Sequence, residues 1–138
     1  MIVVDTNIVA YLYLSGDHSH QAELLLSSDS DWNVPVLWKS EFRSVLSRYL
    51  RKDVLSVEEV LFIIHQAEEL LANNVFEVSS SQVMKLVSSS NCSAYDCEFV
   101  ALAQYLGCAL VTADKKIIRE FPNTAVSLGE MLDSYATY

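Results

Sequence analysis

The stretch that decides the fold is residues 93–117, SAYDCEFVALAQYLGCALVTADKKI. Apolar residues recur at helical spacing in its first half, which predicts a helix over 93–106 that Gly107 ends. The short apolar run that follows predicts a buried strand over 108–112. A polar T-A-D then places Asp114 just past the strand. A helix that leads into a buried strand and then a carboxylate is typical of α/β proteins, whose sites lie at the carboxyl ends of parallel strands.

The same alternation of strands and helices extends along the rest of the chain. Predicted strands cover residues 2–5, 33–35, 75–78, 108–112 and 125–127. Predicted helices cover residues 8–14, 20–26, 37–51, 56–72, 79–88, 93–106 and 115–120, and a last helix starts at Gly129. This alternation predicts an α/β fold, a three-layer sandwich with a mostly parallel central sheet flanked by helices. No linker or repeat interrupts the pattern, so residues 1–138 are expected to form a single domain.

Composition limits the class of protein. The chain has 138 residues, 51% of them hydrophobic, and a formal net charge of −9. No apolar run approaches the about 20 residues that cross a membrane, and the N-terminus lacks a secretory signal. We therefore expect a cytoplasmic protein with no membrane partner. The three cysteines, Cys92, Cys97 and Cys108, include no C-x-x-C, which argues against a disulfide framework or a zinc site.

Four acidic residues do not fit the pattern of a solvated surface. Asp5 and Asp114 follow predicted strands, at the edge where a parallel sheet places its sites. Glu41 and Asp96 lie on the apolar faces of predicted helices, where an unpaired charge costs several kcal/mol. Each also has a separate structural explanation. Asp5 and Asp114 can cap the helices that follow them. Asp96 can complete a capping box with Ser93, and Glu41 can pair with an arginine.

A single hypothesis explains all four acids: they converge on one cation at the strand ends. Two carboxylates about 4 Å apart repel by about 4 kcal/mol at an effective dielectric near 20, so four cannot stay ionised together without a cation. Oxygen ligands suit Mg²⁺ or Mn²⁺. Without a metal, the cluster is expected to titrate as a coupled unit with raised apparent pKa values.

Several segments together resemble the PIN-domain family, and most closely its VapC-type toxin ribonucleases from toxin–antitoxin pairs. They are VVDTNIVAYL (3–12), SEFRSVL (40–46), SAYDCEFVALAQYLG (93–107) and CALVTADKKI (108–117). Y-D-x-x-x-V-A-L-A-x-x-L-G followed at once by L-V-T-A-D-K-K is the most specific part. The resemblance spans essentially the whole chain and is weakest over 55–90.

The resemblance implies a PIN-like fold and Mg²⁺- or Mn²⁺-dependent hydrolysis of phosphodiester bonds in single-stranded RNA. It assigns the catalytic and metal-binding roles to the four acids: Asp5, Glu41, Asp96 and Asp114. It implies supporting roles for Thr112 and for Asn7, which is expected to orient Asp5. It also implies a cognate antitoxin partner and a homodimer, and it leaves the RNA target open.

Eight of the nine basic residues flank two of the proposed ligands. They are Lys39, Arg43, Arg48, Arg51, Lys52, Lys115, Lys116 and Arg119. We predict that four of them contact RNA phosphates around the acidic centre: Lys39, Arg43, Lys115 and Lys116. The basic residues at the end of the helix over 37–51 have an alternative explanation, because cations interact favourably with the negative C-terminal end of a helix dipole.

Other interpretations of the sequence remain open. The chain can be a non-catalytic PIN-fold binding or scaffolding module. An Asp-dependent phosphatase is less favoured, because such enzymes require Asp-x-Asp and this chain has Asn7 at the third position. His18-x-His20 is a weak metal motif, and surface histidines are the simpler expectation. Five aromatic residues can stack on bases, although core or interface packing is the simpler expectation for them: Tyr11, Tyr13, Trp32, Trp38 and Tyr49.

Overall fold

The computed structural model describes residues 1–136, in which five strands and eight helices alternate. The strands are β1 (Ile2–Val4), β2 (Trp32–Pro35), β3 (Val75–Phe76), β4 (Leu110–Val111) and β5 (Ala125–Val126). The helices are α1 (Thr6–Tyr13), α2 (Ser19–Ser28), α3 (Trp38–Arg51), α4 (Val57–Leu71), α5 (Ser80–Ser88), α6 (Ala94–Leu106), α7 (Lys115–Glu120) and α8 (Leu128–Ala136). The strands form one sheet in the order β3-β2-β1-β4-β5, and all neighbouring pairs are parallel. The predicted α/β class, a parallel sheet flanked by helices, is confirmed.

Strand β1 lies at the centre of this sheet and positions the site. Its three residues, Ile2–Val4, are β-branched and fully buried, as expected for a strand that is covered on both faces. Val4 lies opposite Val111 of β4. The residues that follow, Asp5 and Thr112, therefore leave the sheet side by side.

The direction of the strand order reverses between β1 and β4. From β1 the chain builds β2 and β3 on one side, and β4 and β5 are added on the other side. In open α/β sheets, ligands bind outside the carboxyl ends of the strands at such a reversal. Asp5 follows β1 and Asp114 follows β4, so both acids lie at this point.

Capping signals in the sequence explain where most helices begin and end. Helix α4 starts after a complete capping box, in which the Ser56 hydroxyl and the Glu59 carboxylate each accept a backbone N–H of the other residue. Helix α6 ends at Gly107, whose φ of 68° lies in the left-handed region that favours glycine. Both features agree with the prediction.

Three helices begin earlier than predicted, among them α2, which begins at Ser19 instead of residue 20. Helix α1 begins at Thr6 instead of residue 8, because the Asp5 carboxylate accepts the Thr6 backbone N–H at 2.8 Å and caps the helix. Helix α8 begins at Leu128 instead of Gly129, since the Ser127 hydroxyl accepts a hydrogen bond from the backbone of its first turn.

The core is built from apolar side chains of the sheet and the surrounding helices, and its largest fully buried members include Trp32, Trp38, Phe42 and Phe99. The three cysteines are free thiols, and two of them are buried. Within residues 1–136, no helix is both long enough and apolar enough to cross a membrane.

Candidate active site

The four acids singled out in the sequence line one cavity at the carboxyl end of the sheet. Its volume is about 220 Å³, and Thr6, Asn7, Ser44 and Val45 complete its wall. The acids reach it from four elements: Asp5 after β1, Glu41 on α3, Asp96 in the first turn of α6, and Asp114 after β4. Residues far apart in the sequence are thus brought together by the parallel topology.

Asp5 is held by two hydrogen bonds to its carboxylate. The Thr112 hydroxyl donates to Oδ2 at 2.7 Å, and the Thr6 backbone N–H donates to Oδ1 at 2.8 Å. Thr112 is fully buried, and its hydroxyl also accepts the backbone N–H of Asp114 at 3.0 Å. A single side chain therefore connects the ends of β1 and β4 and fixes two of the acids relative to each other.

Thr6 was not singled out from the sequence, but it has the same connecting role on the other side of Asp5. Its buried hydroxyl donates to Oε1 of Glu41 at 2.8 Å. Because its backbone N–H also bonds Asp5, Thr6 fixes Glu41 relative to Asp5. Hydrogen bonds therefore run without a break from Glu41 through Thr6, Asp5 and Thr112 to the backbone of Asp114. The only available signal was a hydroxyl residue directly after a strand-end carboxylate.

Asp5 and Asp114 cap the helices that follow them, and both also line the cavity. Asp114 Oδ1 accepts the backbone N–H groups of Lys116 and Ile117 at the start of α7. The expected capping box at α6 is only half formed. The Ser93 hydroxyl accepts the Asp96 backbone N–H at 3.1 Å, but in residues 1–136 the Asp96 carboxylate makes no hydrogen bond in return. That carboxylate is available for a ligand.

The four acids have no basic partner in the part of the chain that the structure describes. The ion pairs found there are between the N-terminal amine and Asp29 or Asp31, between Lys39 and Glu68, and between His65 and Glu69. The arginine partner considered for Glu41 is therefore not present in residues 1–136. Four carboxylates face one cavity with no protein cation to balance them.

Burial dominates the electrostatics of the two most enclosed acids. It raises the pKa of Asp5, and the hydrogen bonds from Thr112 and Thr6 offset only part of that effect. The nearby Asp96 and Asp114 raise the pKa of Asp5 further. Burial also raises the pKa of Glu41, and the hydrogen bond from Thr6 offsets only part of this rise. The raised pKa values expected for a carboxylate cluster without a metal are thus found for these two acids.

Comparison with known proteins now identifies the family. A sequence model of the PIN domain matches residues 2–122 of the chain. The chain belongs to the PIN-domain family. Ribonuclease VapC3 of Pyrobaculum aerophilum is 28% identical over 126 residues, which cover 88% of this chain and 95% of that relative. Ribonuclease VapC9 of Mycobacterium tuberculosis is 32% identical over 117 residues, which cover 85% and 88%.

A solved structure shows the same fold. The crystal structure of PAE2754 from Pyrobaculum aerophilum matches with a TM-score of 0.77, at 14% sequence identity, over 99% of this chain and 90% of that one. The resemblance noted from the sequence is therefore confirmed, and so is the PIN-like fold.

The donor chemistry of this PIN domain fits a hard divalent cation. All four charged groups are carboxylates, which are the ligands that Mg²⁺ and Mn²⁺ prefer. The carboxylates line one cavity, but they are not close enough together to coordinate one ion. Within residues 1–136, no group of three or more His, Cys, Asp or Glu side chains is arranged to hold a metal ion. Carboxylates repel one another, and a cation between them removes this repulsion. Binding of a cation is therefore expected to draw the side chains together.

The other predicted residues of this PIN domain lie at or beyond the rim. Asn7 is exposed on the cavity wall, and the hydrogen bonds to the Asp5 carboxylate come from Thr6 and Thr112 instead of Asn7. None of the four predicted RNA-contacting bases lines the cavity. Lys39 pairs with Glu68 at 3.7 Å. The remaining three are exposed: Arg43, Lys115 and Lys116.

Proposed function

We propose that this PIN domain is a metal-dependent endoribonuclease that hydrolyses phosphodiester bonds in single-stranded RNA. The observation that carries the proposal is the set of four unpaired carboxylates around one cavity, at the point where the strand order reverses. Relatives that are named VapC ribonucleases support RNA as the substrate. We propose that the protein is the toxin of a toxin–antitoxin pair and acts in the cytoplasm.

The proposed roles follow from the position of each acid. Asp5, Asp96 and Asp114 would hold Mg²⁺ or Mn²⁺, directly or through water. A bound divalent cation lowers the pKa of a water ligand and neutralises the charge that develops on the phosphate. Thr112 keeps Asp5 in place for this role, since its hydroxyl bonds Oδ2. The hydrogen bond from Thr6 offsets part of the rise in the pKa of Glu41 that burial causes, and it holds this carboxylate where it could orient the attacking water.

We further propose that the four rim bases, Lys39, Arg43, Lys115 and Lys116, contact phosphates on either side of the cut bond. Lys115 and Lys116 have the stronger support, because they are exposed and directly follow Asp114. Lys39 and Arg43 are each two residues from Glu41 and so lie on the opposite side of α3 from it, which gives them weaker support. Each contact that is lost should reduce the slope of log affinity against log salt by about 0.7 for a single strand. If the double variant Lys115→Ala, Lys116→Ala kept the wild-type slope, these two residues would not belong to the RNA interface.

The proposal also includes protein partners. Helix α4 exposes several large apolar side chains, among them Val57, Leu61 and Phe62, which are 52%, 60% and 65% exposed. Adjacent apolar side chains of this kind are typical of surfaces that proteins cover, which supports a protein partner such as the cognate antitoxin. The homodimer stays a prediction from the family resemblance, and light scattering of the purified chain measures it.

A cleavage assay tests the proposed activity. The purified protein should cut single-stranded RNA in Mg²⁺ or Mn²⁺, lose this activity in EDTA and regain it when the metal is restored. Asp96→Asn should lower kcat/KM by about 10²-fold or more. This change is informative because the Asp96 carboxylate makes no hydrogen bond in residues 1–136 that the fold needs. Glu98→Gln, on the same helix and outside the cavity, is the matched control.

Two results would contradict the proposal. Cleavage that survives both EDTA and Asp96→Asn would point to a contaminating nuclease. A folded protein that cuts no RNA with either metal would favour the non-catalytic binding module.

A further inference from the structure

A second cavity adjoins the acidic one, and the two share Asn7 and Val45 in their walls. It has a volume of about 200 Å³ and lies between α1, the loop after α1, and α3. A third depression shares Arg48 and Tyr49 with the second and continues to Lys52. A continuous path therefore leads from the four carboxylates along the surface of the protein. We call the second cavity, with Tyr11, His18, Arg48 and Tyr49 in its wall, the side groove.

Helical periodicity explains why this path follows α3. Val45, Arg48 and Tyr49 come four, seven and eight residues after Glu41, which is the spacing of one helix face. At a rise of about 1.5 Å per residue, Arg48 lies about 10 Å along the helix axis from Glu41. Arg43, by contrast, is two residues from Glu41 and lies on the opposite side of the helix. The base that shares a face with the catalytic Glu41 is thus Arg48.

The side groove offers flat rings to a ligand. The rings of Tyr11 and His18 are stacked in a tilted pair with centroids 4.6 Å apart and an interplanar angle of 34°. His18 is exposed, so the outer face of this pair is open to solvent, whereas Tyr11 is half-buried beneath it. Tyr49 lines the same groove from α3. Rings of this kind stack on unpaired bases regardless of their sequence.

The path along α3 carries basic residues that the acidic cavity lacks. The wall of the side groove holds Arg48 and one acid, Asp17, and the adjoining depression adds Lys52. Within residues 1–136, Arg48 and Lys52 make no ion pair, whereas Lys39 on the same helix is paired with Glu68. Two cations against one carboxylate give this path a net positive charge in a chain of net charge −9, which favours a polyanion here. An arginine guanidinium can in addition stack on a base or bind a phosphate through two hydrogen bonds.

We propose that the side groove binds the base of an unpaired nucleotide next to the scissile phosphate. The base stacks on the Tyr11–His18 pair, and Arg48 and Lys52 contact the phosphate beyond it. The volume of about 200 Å³ is below the about 300 Å³ at which pockets for drug-sized ligands begin, and it suits a single base. The inference rests on the proposed ribonuclease function. It adds a physical reason for the preference for single strands, since a paired base cannot enter the groove.

Equilibrium binding of two RNA probes tests the groove. The probes are a labelled hexauridylate and a hexamer of the same length whose residues are abasic, and both are measured on cleavage-deficient Asp96→Asn protein in Mg²⁺. The hexauridylate should bind about 10-fold more tightly, because stacking contributes about 1–3 kcal/mol per base. Adding His18→Ala or Tyr49→Ala should reduce this ratio toward one, and Arg48→Ala should weaken the binding of both probes.

Lys85→Ala is the matched control for charge, because Lys85 is exposed on α5 and lies outside the groove. It should keep the affinity ratio between the two probes. His18 and Arg48 are exposed, so their removal is not expected to disturb the core, and circular dichroism checks the fold of the Tyr49 variant. Equal affinity of the two probes, or His18→Ala and Arg48→Ala variants that behave like Lys85→Ala, would overturn the proposal. So would groove variants that bind RNA normally but no longer retain a co-expressed antitoxin, since the groove would then be a peptide site.

The assay distinguishes a failure of the proposed groove from a failure of the proposed ribonuclease function. Cleavage by the wild-type protein reports on the proposed function, whereas the ratio between the probes reports on the groove in protein that does not cut RNA. A wild-type protein that cleaves RNA, together with a ratio of one, would leave the ribonuclease and remove the groove.

Discussion

Thr6 and Thr112 each contact two of the four acids, and both are buried. Hydrogen bonds that involve a charged partner contribute about 1.5–3 kcal/mol. The two threonines therefore hold the carboxylates of Asp5 and Glu41 in place before any cation arrives, and they offset part of the rise in pKa that burial causes. Such support of ligating groups by their neighbours is general in metal sites.

The Thr6→Val variant tests this role. The change removes the hydroxyl and keeps the shape, so Glu41 loses its hydrogen bond while the packing of α1 is preserved. We expect the Mg²⁺ concentration for half-maximal cleavage to rise and kcat/KM to fall about 10- to 100-fold, in line with the loss of one charged hydrogen bond. Thr6→Ser retains the hydroxyl and should stay near wild type. Equal losses in both variants would show that Thr6 acts through packing alone.

The raised pKa of Asp5 predicts a pH-dependent stability difference. Between the ordinary value of 3.8 and the raised pKa, the folded protein holds more protons than the unfolded chain. The free energy of unfolding therefore falls as the pH rises through this interval, and the loss is complete above the raised pKa. Glu41 contributes in the same direction from its ordinary value of 4.5.

Metal-free Asp5→Asn protein should accordingly be more stable than the wild type at pH 7 and similar to it below about pH 4. Asparagine still caps α1, so the helix start is retained. Urea denaturation at the two pH values, in EDTA, measures the difference. A variant that is less stable than wild type by the same amount at both pH values would show that lost contacts, and not charge burial, dominate at this position.

The sequence allowed all four acids to be selected, because each stands where an apolar or strand-end pattern makes a carboxylate unexpected. Thr6 was not singled out, because a β-branched residue in an apolar segment is equally expected when it only packs in the core. Its partner Glu41 is 35 residues away, and the contact exists only once α1 and α3 pack together. Side-chain partners of this kind depend on tertiary structure and leave no local pattern.

At the scale of elements, the start of α6 determines where Asp96 points. The Ser93 hydroxyl bonds the Asp96 backbone and fixes the first turn, so that the half-buried carboxylate lines the cavity. The cap of α6 therefore helps to position Asp96 in the candidate site.

Ser93→Ala should therefore affect both stability and activity. Removal of the cap should lower the free energy of unfolding by about 1 kcal/mol and loosen the turn that presents Asp96, with a matching loss of cleavage. Ser56→Ala is the paired control, because it removes the cap of α4, which has no residue in the acidic cavity. It should lose similar stability and keep full activity. If both variants were equally active at a temperature where both are folded, Asp96 would not depend on the cap.

Most elements were predictable because caps, glycine and hydrophobic periodicity act within a few residues. The strand order was not, since pairing of β1 with both β2 and β4 depends on contacts between distant segments. The early start of α1 was missed although its cause, the Asp5 cap, is local. Asp5 was considered both as a cap and as a ligand, and the structure shows that it caps α1 and lines the cavity at the same time.

At the scale of the whole molecule, charge is distributed unevenly. The chain is acidic overall, and four of its carboxylates face one cavity, while unpaired bases follow the face of α3 that leads away from it. Net charge alone would argue against RNA as a substrate. The arrangement instead suits a cation in the cavity and a phosphate chain beside it, a pattern that composition cannot show.

The most direct test of the central claim is a calorimetric titration of the protein with Mn²⁺. We predict saturable binding to the wild type, unchanged binding to Glu98→Gln, and loss of binding in Asp96→Asn, with all three proteins folded. Wild-type protein that binds no Mn²⁺, or Asp96→Asn protein that binds it as the wild type does, would contradict the claim that the carboxylates around the cavity hold a metal ion.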